Sequence, residues 1–454
     1  MDKEKLINLI RKAGVVGEGG AGFPAHVKYD TQVDTIIANG CECEPLLYTD
    51  QHIMQRNSTA IVHAMQVLVK ATGATRGVIA IKRKYGELAR LFTDAIAGTG
   101  LELFQLDNFY PAGDEFVLVK EVTGKTIPPL GLPGDVGAVV ANVGTLVNTN
   151  KALQNIPVIS KTITVTGDVA NPAVVEAPIG TPVLACIKAC GGATIEDPVV
   201  ILGGPMMGRI VDNKTALAQE VVTKTNGGII VIPRGHYLHE VNTIPLEVLQ
   251  KQAAVSCIQC RYCTDQCPRY LLGHGFETHK VMRAFSAGVD AAMEAVQAHM
   301  CCECGVCELF SCPMRISPRR INALLKQRFR EKGLAYEGPR KVIASQSALR
   351  PYRKVPLERL VYKINIGGYM GIHPEFEEIR PPDEVRIPLH QHIGAPANSR
   401  VKVGDRVEVG DLITKLLFQD NPGRYWDPGD PGLLQRTSLQ PCAPCGTGTH
   451  LLVS

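Results

Sequence analysis

The chain has 454 residues, and its 48 Lys and Arg residues nearly balance its 44 Asp and Glu residues, leaving a formal charge of +4 at neutral pH. This length predicts about three domains of roughly 100 to 200 residues each, and the weak net charge gives no reason to expect a nucleic acid partner. Apolar runs fall far short of the roughly 20 residues that cross a bilayer, so we expect no membrane span.

The N-terminal sequence MDKEKLINLIRKAG predicts a charged amphipathic helix. It lacks the apolar core and the small-residue cleavage site of a secretory signal peptide, so we expect a cytoplasmic protein. The chain contains 15 cysteines. Because disulfides rarely persist in the cytoplasm, so many cysteines indicate metal or redox chemistry.

A glycine-rich segment comes next, reading VVGEGGAGFPAHVK from residue 15. Glycines allow backbone N–H groups to approach a phosphate closely, and the nearby Lys28 adds a positive charge. The segment fits neither the G-x-G-x-x-G dinucleotide motif nor the P-loop motif. The spacing alone therefore leaves a plain surface loop as an alternative to a phosphate site.

Apolar strands then alternate with helices. The stretch VDTIIANG predicts a strand, and Glu42 and Glu44 follow at its carboxyl end, where open α/β sheets bind ligands. GVIAIKRKYGELARL, from residue 77, predicts a strand and a helix, and LELFQLDNFYPAGDEF adds a strand and an acidic turn at Asp114 and Glu115. This alternation predicts a mostly parallel sheet.

A further strand pattern begins at residue 161, turns at Gly167-Asp168 and leads into a helix. Cys186 and Cys190 lie four residues apart on that helix and therefore share one face. We interpret this pair as core packing rather than as metal ligands.

Two cysteine runs follow, CIQCRYCTDQCP from residue 257 and CCECGVCELFSCP from residue 301. In bacterial two-cluster ferredoxins, three cysteines in x2 steps are followed by a fourth that ligates the other cluster. The spacing therefore predicts two [4Fe–4S] clusters, held by Cys257, Cys260, Cys263 and Cys312 and by Cys301, Cys304, Cys307 and Cys267. Two zinc knuckles or unliganded cysteines are the alternatives, although zinc ligands usually come as separated pairs.

The remaining residues of this region predict a helical module. Cys302 is left without a ligand role and is expected to be a buried thiol. Residues 268–300 read as helical, and a helix is predicted over 317–331 with Ser317 as N-cap and Pro318 at its first position.

The segment RIPLHQHIGAPANSRVKVGDRVEVGDLITK predicts a hairpin like one half of the barrel-sandwich fold of biotinyl and lipoyl carriers. His390, His392 and, further upstream, His274 are candidate metal or cobalt ligands, but alternating strand positions explain the first two equally well. After about residue 417, Gly and Pro accumulate and a disordered or non-native tail is expected. Its Cys442 and Cys445 lack the second pair that a zinc site needs.

Four separated motifs, GEGGAGFPAHVK, ANGCECEP, YPAGDEF and PPLGLPGDVGAVVANVGT, resemble the flavin- and NADH-binding subunit of respiratory complex I and, above all, the RnfC-like SLBB-domain proteins. The resemblance implies an α/β multidomain protein with a Rossmann-like FMN/NADH-binding domain. The implied domains are FMN/NADH-binding (1–155), β-grasp SLBB (156–245), two-cluster ferredoxin-like (246–335), barrel-sandwich-like (336–417) and an atypical tail (418–454).

The same resemblance implies the cofactor-binding residues. Those that hold the FMN phosphate and ribityl chain are Gly17, Gly19, Gly20, Gly22 and Lys28. Those that line the flavin are Asn39, Glu42, Glu44, Asn142 and Thr145, while Phe23 and Glu115 face the nicotinamide nucleotide. The complex I protein has an acidic residue and a serine where this chain has Cys41 and Cys43, which we interpret as small fillers at the end of a strand.

The sequences around the cysteine runs, together with LHQHIG, resemble the cobalamin reductases of bacterial propanediol utilisation. FMN accepts the electron pair of NADH and releases single electrons, so a flavin ahead of two clusters is chemically coherent. The resemblance implies reduction of cob(III)alamin towards cob(I)alamin for an adenosyltransferase and a B12-dependent diol dehydratase in a bacterial microcompartment, and it is compatible with a homo-oligomer. The alternatives are the RnfC subunit of a membrane-bound electron transport complex and a non-catalytic iron–sulfur docking scaffold.

Overall fold

A computed structural model describes residues 2–288, 293–402, 404–415 and 450–453. Most of the segment expected to be a disordered or non-native tail, including Cys442 and Cys445, lies outside these residues. None of the helices in the described ranges has the length and apolarity needed to span a bilayer.

The N-terminal unit is a parallel sheet covered by helices. Its helices are α1 (Lys3–Lys12), α2 (Ala25–Tyr29), α3 (Thr49–Thr72), α4 (Gly86–Ala95), α5 (Glu115–Thr123) and α6 (Val143–Leu153), with a 3-10 turn at Pro133–Val136. Its strands are β1 (Thr35–Gly40), β2 (Arg76–Lys82), β3 (Glu102–Leu106), β4 (Phe109–Tyr110) and β5 (Ala138–Asn142).

The sheet order is β3-β2-β1-β5, and each neighbouring pair is parallel, which confirms the predicted parallel sheet. β1 is central, so Ile36 and Ile37 are completely buried on its two faces. From β1 the chain adds β2 and β3 on one side of the sheet and then β5 on the other side. Asn39 of β1 is aligned with Asn142 of β5 at this switch point. Such a switch point leaves a crevice at the carboxyl ends of the strands, and ligands of open α/β sheets bind there.

The second unit is built on a six-stranded mixed sheet. Its elements are β6 (Ser160–Gly167), β7 (Ala173–Pro178), α7 (Val183–Ala189), β8 (Pro198–Leu202), β9 (Arg209–Val211), α8 (Lys214–Leu217) and β10 (Gly228–Pro233). Strands β6 and β10 are parallel and the other neighbouring pairs of this group are antiparallel. Cys186 and Cys190 are completely buried in its apolar core, as the interpretation of them as packing residues expects.

The third unit is helical and carries both cysteine runs. Its helices are α9 (Tyr237–Thr243), α10 (Leu246–Ser256), α11 (Tyr262–Asp265), α12 (Pro268–Leu271), α13 (Thr278–Ser286), α14 (Met293–Val296) and α15 (Pro318–Glu331), with a 3-10 turn at Gln297–Met300 and a π-helical turn at Val306–Ser311.

Helix α15 begins at Pro318, as predicted, but Ser317 does not cap it with its side chain. The Ser317 hydroxyl is buried and has no hydrogen-bond partner. Cys302 is half-buried rather than buried, and it lines the cysteine-rich cavity described below.

The C-terminal elements are distributed over the other units. They are α16 (Ala344–Ser347), α17 (Arg350–Arg353), β11 (Val355–Pro356), α18 (Leu357–Lys363), a 3-10 turn at Gly367–Tyr369, β12 (Glu375–Glu378), β13 (Val385–Pro388), β14 (Asn398–Ser399), β15 (Thr414–Lys415) and β16 (His450–Val453). β11 pairs with β4, and β12 extends the six-stranded sheet beside β7. β13 pairs with β16. In the segment predicted to form a hairpin, β14 pairs with β15.

Candidate functional site

The glycine-rich loop, residues 17–22, packs against the start of α6 at the switch point of the sheet. The Glu18 amide donates to the Thr145 hydroxyl at 3.0 Å, and that hydroxyl lies 3.4 Å from the Val16 carbonyl. A Cβ added to Gly19 would lie 3.1 Å from the Asn142 side-chain amide nitrogen. The structure thus places Asn142 and Thr145 beside the loop, as the resemblance implies for a flavin site.

Gly22 is where the C-terminal segment meets this loop. Its φ of +75° favours glycine, and an added Cβ would lie 2.9 Å from the Gln391 carbonyl oxygen. The Ile393 amide donates to the Gly22 carbonyl at 3.3 Å. The LHQHIG stretch, residues 389–394, therefore packs directly on the glycine-rich loop, a contact that the sequence did not reveal.

The three candidate histidine ligands do not form one site. The rings of His390 and His392 are in edge contact, with centroids 5.9 Å apart. His274 is buried elsewhere, and its Nε2 is 2.9 Å from the Ile127 carbonyl oxygen. This arrangement gives no support to a metal or cobalt role for these three candidates.

Polar side chains gather at the carboxyl end of β1. The Asn39 side-chain amide donates to the Gly113 carbonyl at 2.9 Å, which joins this strand end to the acidic turn. The Glu42 carboxylate accepts from the Asp50 amide at 3.2 Å, and the Asn142 side-chain amide donates to the Asp50 carboxylate at 2.9 Å. Burial raises the pKa of both carboxyls. These groups line the crevice in which a flavin ring is expected.

Lys82, at the end of β2, is a residue that sequence reasoning missed. Its side chain is completely buried, and its Nζ lies 3.4 Å from the Asn108 side-chain oxygen. Burial lowers the pKa of Lys82, although the neighbouring Cys43, Cys41 and Glu42 oppose this effect. Lys82 therefore places a cation beneath the acidic end of β1.

Lys28 and Glu115 face each other across the mouth of the crevice, with Nζ and Oε2 3.4 Å apart. Both side chains are half-buried. Phe23 is also half-buried, and its carbonyl accepts from the Gly17 amide at 2.8 Å. Gly19 and Gly20, at the tip of the glycine-rich loop, are exposed, so their backbone N–H groups are accessible to a phosphate.

Glu44 links three units of the protein. Its carboxylate accepts from the Met206 amide at 2.8 Å and from the Tyr110 hydroxyl at 3.2 Å. The Tyr110 hydroxyl also lies 2.7 Å from the Cys304 carbonyl oxygen. A Cβ added to Gly204 would collide with the Glu44 carboxylate, so this close approach requires glycine. The predicted flavin residues thus contact the second cysteine run through one tyrosine.

Glu44 also gives a pH dependence that can be measured. Burial raises its pKa from 4.5 to about 7, while hydrogen bonds from Met206 and Tyr110 oppose the shift. Between pH 4.5 and about pH 7, Glu44 binds a proton more fully in the folded protein than in the unfolded chain. Its contribution therefore makes the unfolding free energy fall as pH rises. In the flavin-free protein, we expect the decrease in unfolding free energy from low to high pH to be about 1 kcal/mol smaller in Glu44→Gln than in the wild type.

The measurement is urea unfolding at pH 5 and pH 8. Glu87→Gln, which changes an exposed residue of α4, serves as control and should retain the wild-type pH difference. A pH difference in Glu44→Gln equal to that of the wild type would contradict the prediction.

The predicted ligand cysteines of the two runs form an inner and an outer set. The inner set comprises Cys267, Cys301, Cys304 and Cys307, all of them buried, and these four line the inner cavity together with the half-buried Cys302. The outer set comprises Cys257, Cys260, Cys263 and Cys312, of which Cys260 is exposed. Burial, together with the neighbouring thiols of Cys312, Cys257 and Cys260, raises the pKa of Cys263 to about 12. Each set combines one triplet with the distant cysteine of the other run, and the assignment of one cluster to each set stays a prediction.

A second tether joins the inner cavity to the N-terminal unit. Arg269 follows Cys267 by two residues, and its guanidinium binds both oxygens of Asp114 at 2.7 and 3.0 Å. Its guanidinium carbon lies 4.0 Å from the centre of the Phe116 ring. Asp114 in turn caps α5 by accepting from the amides of Phe116 and Val117. The acidic turn is thus fixed against the inner cavity.

The glycine-rich loop is also tied to the second unit. Glu18 forms an ion pair with Lys161 of β6, and their side chains are only 6% and 3% exposed. The Asn148 side-chain amide donates to the other Glu18 oxygen. Sequence analysis did not identify either charged residue.

Four known families match the chain. They are the Nuo51 FMN-binding domain (residues 10–151), the SLBB domain (162–210), the 4Fe-4S dicluster domain (256–317) and the RnfC barrel sandwich hybrid domain (372–417). These matches confirm the predicted set of domain types and the FMN and iron–sulfur cofactors. The dicluster match favours iron–sulfur clusters over the zinc alternative.

Two relatives align with most of the chain. Cobalamin reductase PduS of Salmonella typhimurium is 40% identical over 418 residues, 92% of this chain and 91% of that protein. The protein of the same name from Citrobacter freundii is also 40% identical, over 91% of both chains.

Other relatives align less extensively. A component of the Na⁺-translocating ferredoxin:NAD⁺ oxidoreductase complex of Acetobacterium woodii is 33% identical over 60% of this chain and 59% of that protein. Among solved structures, an NAD⁺-reducing [NiFe]-hydrogenase in the H₂-reduced state has a TM-score of 0.50 at 21% identity, covering 78% of this chain and 66% of that one. This likeness concerns the fold.

Proposed function

This chain belongs to the cobalamin reductase family of PduS, and from this membership we propose that it is an NADH-dependent reductase of cob(III)alamin towards cob(I)alamin. The observation that carries the proposal is the alignment over 92% of the chain, because it includes the C-terminal segment as well as the flavin and cluster units. The electrons balance, since oxidation of one NADH to NAD⁺ and a proton releases two electrons and reduction of cob(III)alamin to cob(I)alamin consumes two.

FMN, when bound, accepts an electron pair from NADH and releases single electrons, and [4Fe–4S] clusters carry electrons singly. The exposed backbone of Gly19 and Gly20, with Lys28 nearby, fits a phosphate group, and Gly17 shapes the loop by donating its amide to the Phe23 carbonyl. The amide of Asn39 and the buried Glu42 fit the flavin ring. Phe23 and Glu115 at the mouth of the crevice are the proposed contacts of the nicotinamide nucleotide.

The remaining proposed flavin residues also hold the loop and the neighbouring units in place. Gly22 accommodates the LHQHIG stretch, and Thr145 receives the hydrogen bond from Glu18. Asn142 fixes Asp50, and Glu44 connects the crevice to the loop at Met206. Their role is to orient the cofactor and to exclude water, and we assign no residue as a catalytic acid or base.

We propose that the inner cavity and the outer set each hold one [4Fe–4S] cluster. The chemistry of the donors supports this assignment, because each set offers four cysteine thiols and cubane clusters take four thiolate ligands. The inner cavity contacts the flavin residues through Tyr110, and the outer set includes an exposed cysteine. These two observations support a proposed path in which the inner cavity receives electrons from the flavin and the outer set passes them to an external acceptor.

The proposed acceptor is cobalamin. We further propose that the product serves an adenosyltransferase and a B12-dependent diol dehydratase in a bacterial microcompartment, as the resemblance to propanediol-utilisation reductases implies. The alternative role, as an RnfC subunit of a membrane-bound complex, is disfavoured because the related protein of the Acetobacterium woodii complex aligns with only 60% of this chain.

The test is anaerobic purification with cluster reconstitution, followed by quantification of iron and flavin and by sequential addition of NADH and hydroxocobalamin. We expect about eight irons and about one FMN per chain, bleaching by NADH, and then the absorption band of cob(II)alamin. Lys28→Ala should lose FMN and NADH bleaching but keep its iron. Lys12→Ala, which changes an exposed lysine of α1, should behave as the wild type.

Two results would overturn the proposal. Bleaching by NADH without any transfer to cobalamin would favour the RnfC-type role. Failure to retain flavin, with the clusters intact, would favour the non-catalytic scaffold.

A further inference from the structure

Two polar side chains of the inner cavity have no partner in the protein. Asn322 of α15 is 1% exposed, and neither its amide nitrogen nor its amide oxygen makes a hydrogen bond. Thr278, at the start of α13, is also 1% exposed, and its hydroxyl makes no hydrogen bond. Both residues line the cavity together with its five cysteines, of which four are the proposed cluster ligands.

Such groups are costly to bury without a partner, and most buried polar atoms in folded proteins are hydrogen-bonded. Another polar side chain of the cavity wall does have hydrogen-bond partners. Arg319 lines the same cavity, but its guanidinium contacts Glu308 and the Asn242 side-chain oxygen. Asn322 and Thr278 are thus the lining residues whose donors face a cavity suited to a sulfur-rich group.

We propose that Asn322 and Thr278 donate hydrogen bonds to sulfur atoms of the [4Fe–4S] cluster in the inner cavity and thereby raise its reduction potential. The proposal rests on the proposed function, because it requires a cluster in that cavity. Reduction adds one electron and one negative charge to a cluster without breaking a bond. Hydrogen-bond donors stabilise the more negative state more strongly, so they favour reduction.

The contrast between the two cysteine sets explains why the protein needs these donors. Cys260 of the outer set is exposed, so water can donate hydrogen bonds to sulfur there. All four inner cysteines are buried. Burial disfavours the additional negative charge of a reduced cluster, and donors from the protein offset this effect. Asn322 and Thr278 therefore adjust the inner cluster specifically.

The experiment is an anaerobic redox titration of the holoprotein, followed by electron paramagnetic resonance. The variants are Asn322→Leu and Thr278→Val. We expect each to lower the ratio of reduced to oxidised inner cluster about tenfold at a fixed potential, which corresponds to about 59 mV. The outer cluster in the same sample should keep its midpoint, and the inner signal is identified as the one that persists in Cys260→Ser.

Thr72→Val is the matched control. It removes a buried hydroxyl of α3 that donates to the Leu68 carbonyl at 2.8 Å, and it should leave both midpoints unchanged. If Asn322→Leu loses iron, Thr278→Val decides the question. An unchanged inner midpoint in Thr278→Val with full iron overturns the inference and leaves the proposed function intact. Wild-type protein that binds no iron after reconstitution overturns the proposed function itself.

Discussion

Lys161→Met is expected to lower the free energy of unfolding by about 3 kcal/mol, because it leaves the Glu18 carboxylate buried without its cation. The Lys161 and Glu18 side chains are only 3% and 6% exposed, so water cannot replace the lost partner. Lys224 is the other nearby cation, but its Nζ donates to the Gly14 carbonyl at 2.6 Å. Urea unfolding of the flavin-free protein measures the effect.

Two further variants test the physical reason. The double variant Glu18→Gln/Lys161→Met removes both charges and should recover most of the lost stability. Glu102→Gln disrupts the ion pair between Glu102 and Arg76, whose side chains are 50% and 34% exposed, respectively. It should lower the free energy of unfolding by less than about 1 kcal/mol. Equal losses in Lys161→Met and Glu102→Gln would show that burial does not determine the strength of these pairs.

The second large effect is expected for Cys307→Ser. This variant should lose about four irons, and NADH-driven reduction of cobalamin should fall at least about 100-fold. NADH should still bleach the flavin, because the glycine-rich loop and the β1 crevice do not include Cys307. Iron analysis and stopped-flow absorbance provide the measurement.

Cys260→Ser is the matched comparison because it changes the outer set. It should lose the same amount of iron, but NADH should still bleach its remaining iron–sulfur absorbance. The remaining iron–sulfur absorbance of Cys307→Ser should not be bleached by NADH, since the Tyr110 hydroxyl contacts Cys304 of the inner cavity. Cys186→Ser, in the core of the second unit, should retain all iron. Identical behaviour of Cys307→Ser and Cys260→Ser would contradict the proposed positions of the two clusters.

The features that sequence reasoning predicted depend on residues close together in the chain. The two cysteine runs are recognisable because three predicted ligands of each cluster lie within a few residues. The strands β1 and β2 are short apolar runs with clear ends, so their pattern predicts a parallel sheet. The flavin residues are predicted only through resemblance to a family, since the glycine spacing alone matches no standard motif.

The features that were missed join distant parts of the chain. Glu18 and Lys161 are 143 positions apart, and Tyr110 and Cys304 are 194 apart. No local pattern indicates either contact. Lys82 shows the same limitation, because a lysine at the end of a strand usually reaches solvent, whereas here the surrounding units bury it completely. Ser317 has the residue type of a capping side chain, but the structure leaves its hydroxyl without a partner.

The packing of LHQHIG on Gly22 has a consequence for protein synthesis. Gly22 emerges from the ribosome early, whereas Gln391 and Ile393 are made some 370 residues later, about 20 to 70 s at typical translation rates. The contact cannot form during that interval, although the parallel sheet and the cysteine module can fold. A nascent chain can therefore fold its parallel sheet and the segment that carries the cysteine runs before the glycine-rich loop contacts residues 389–394.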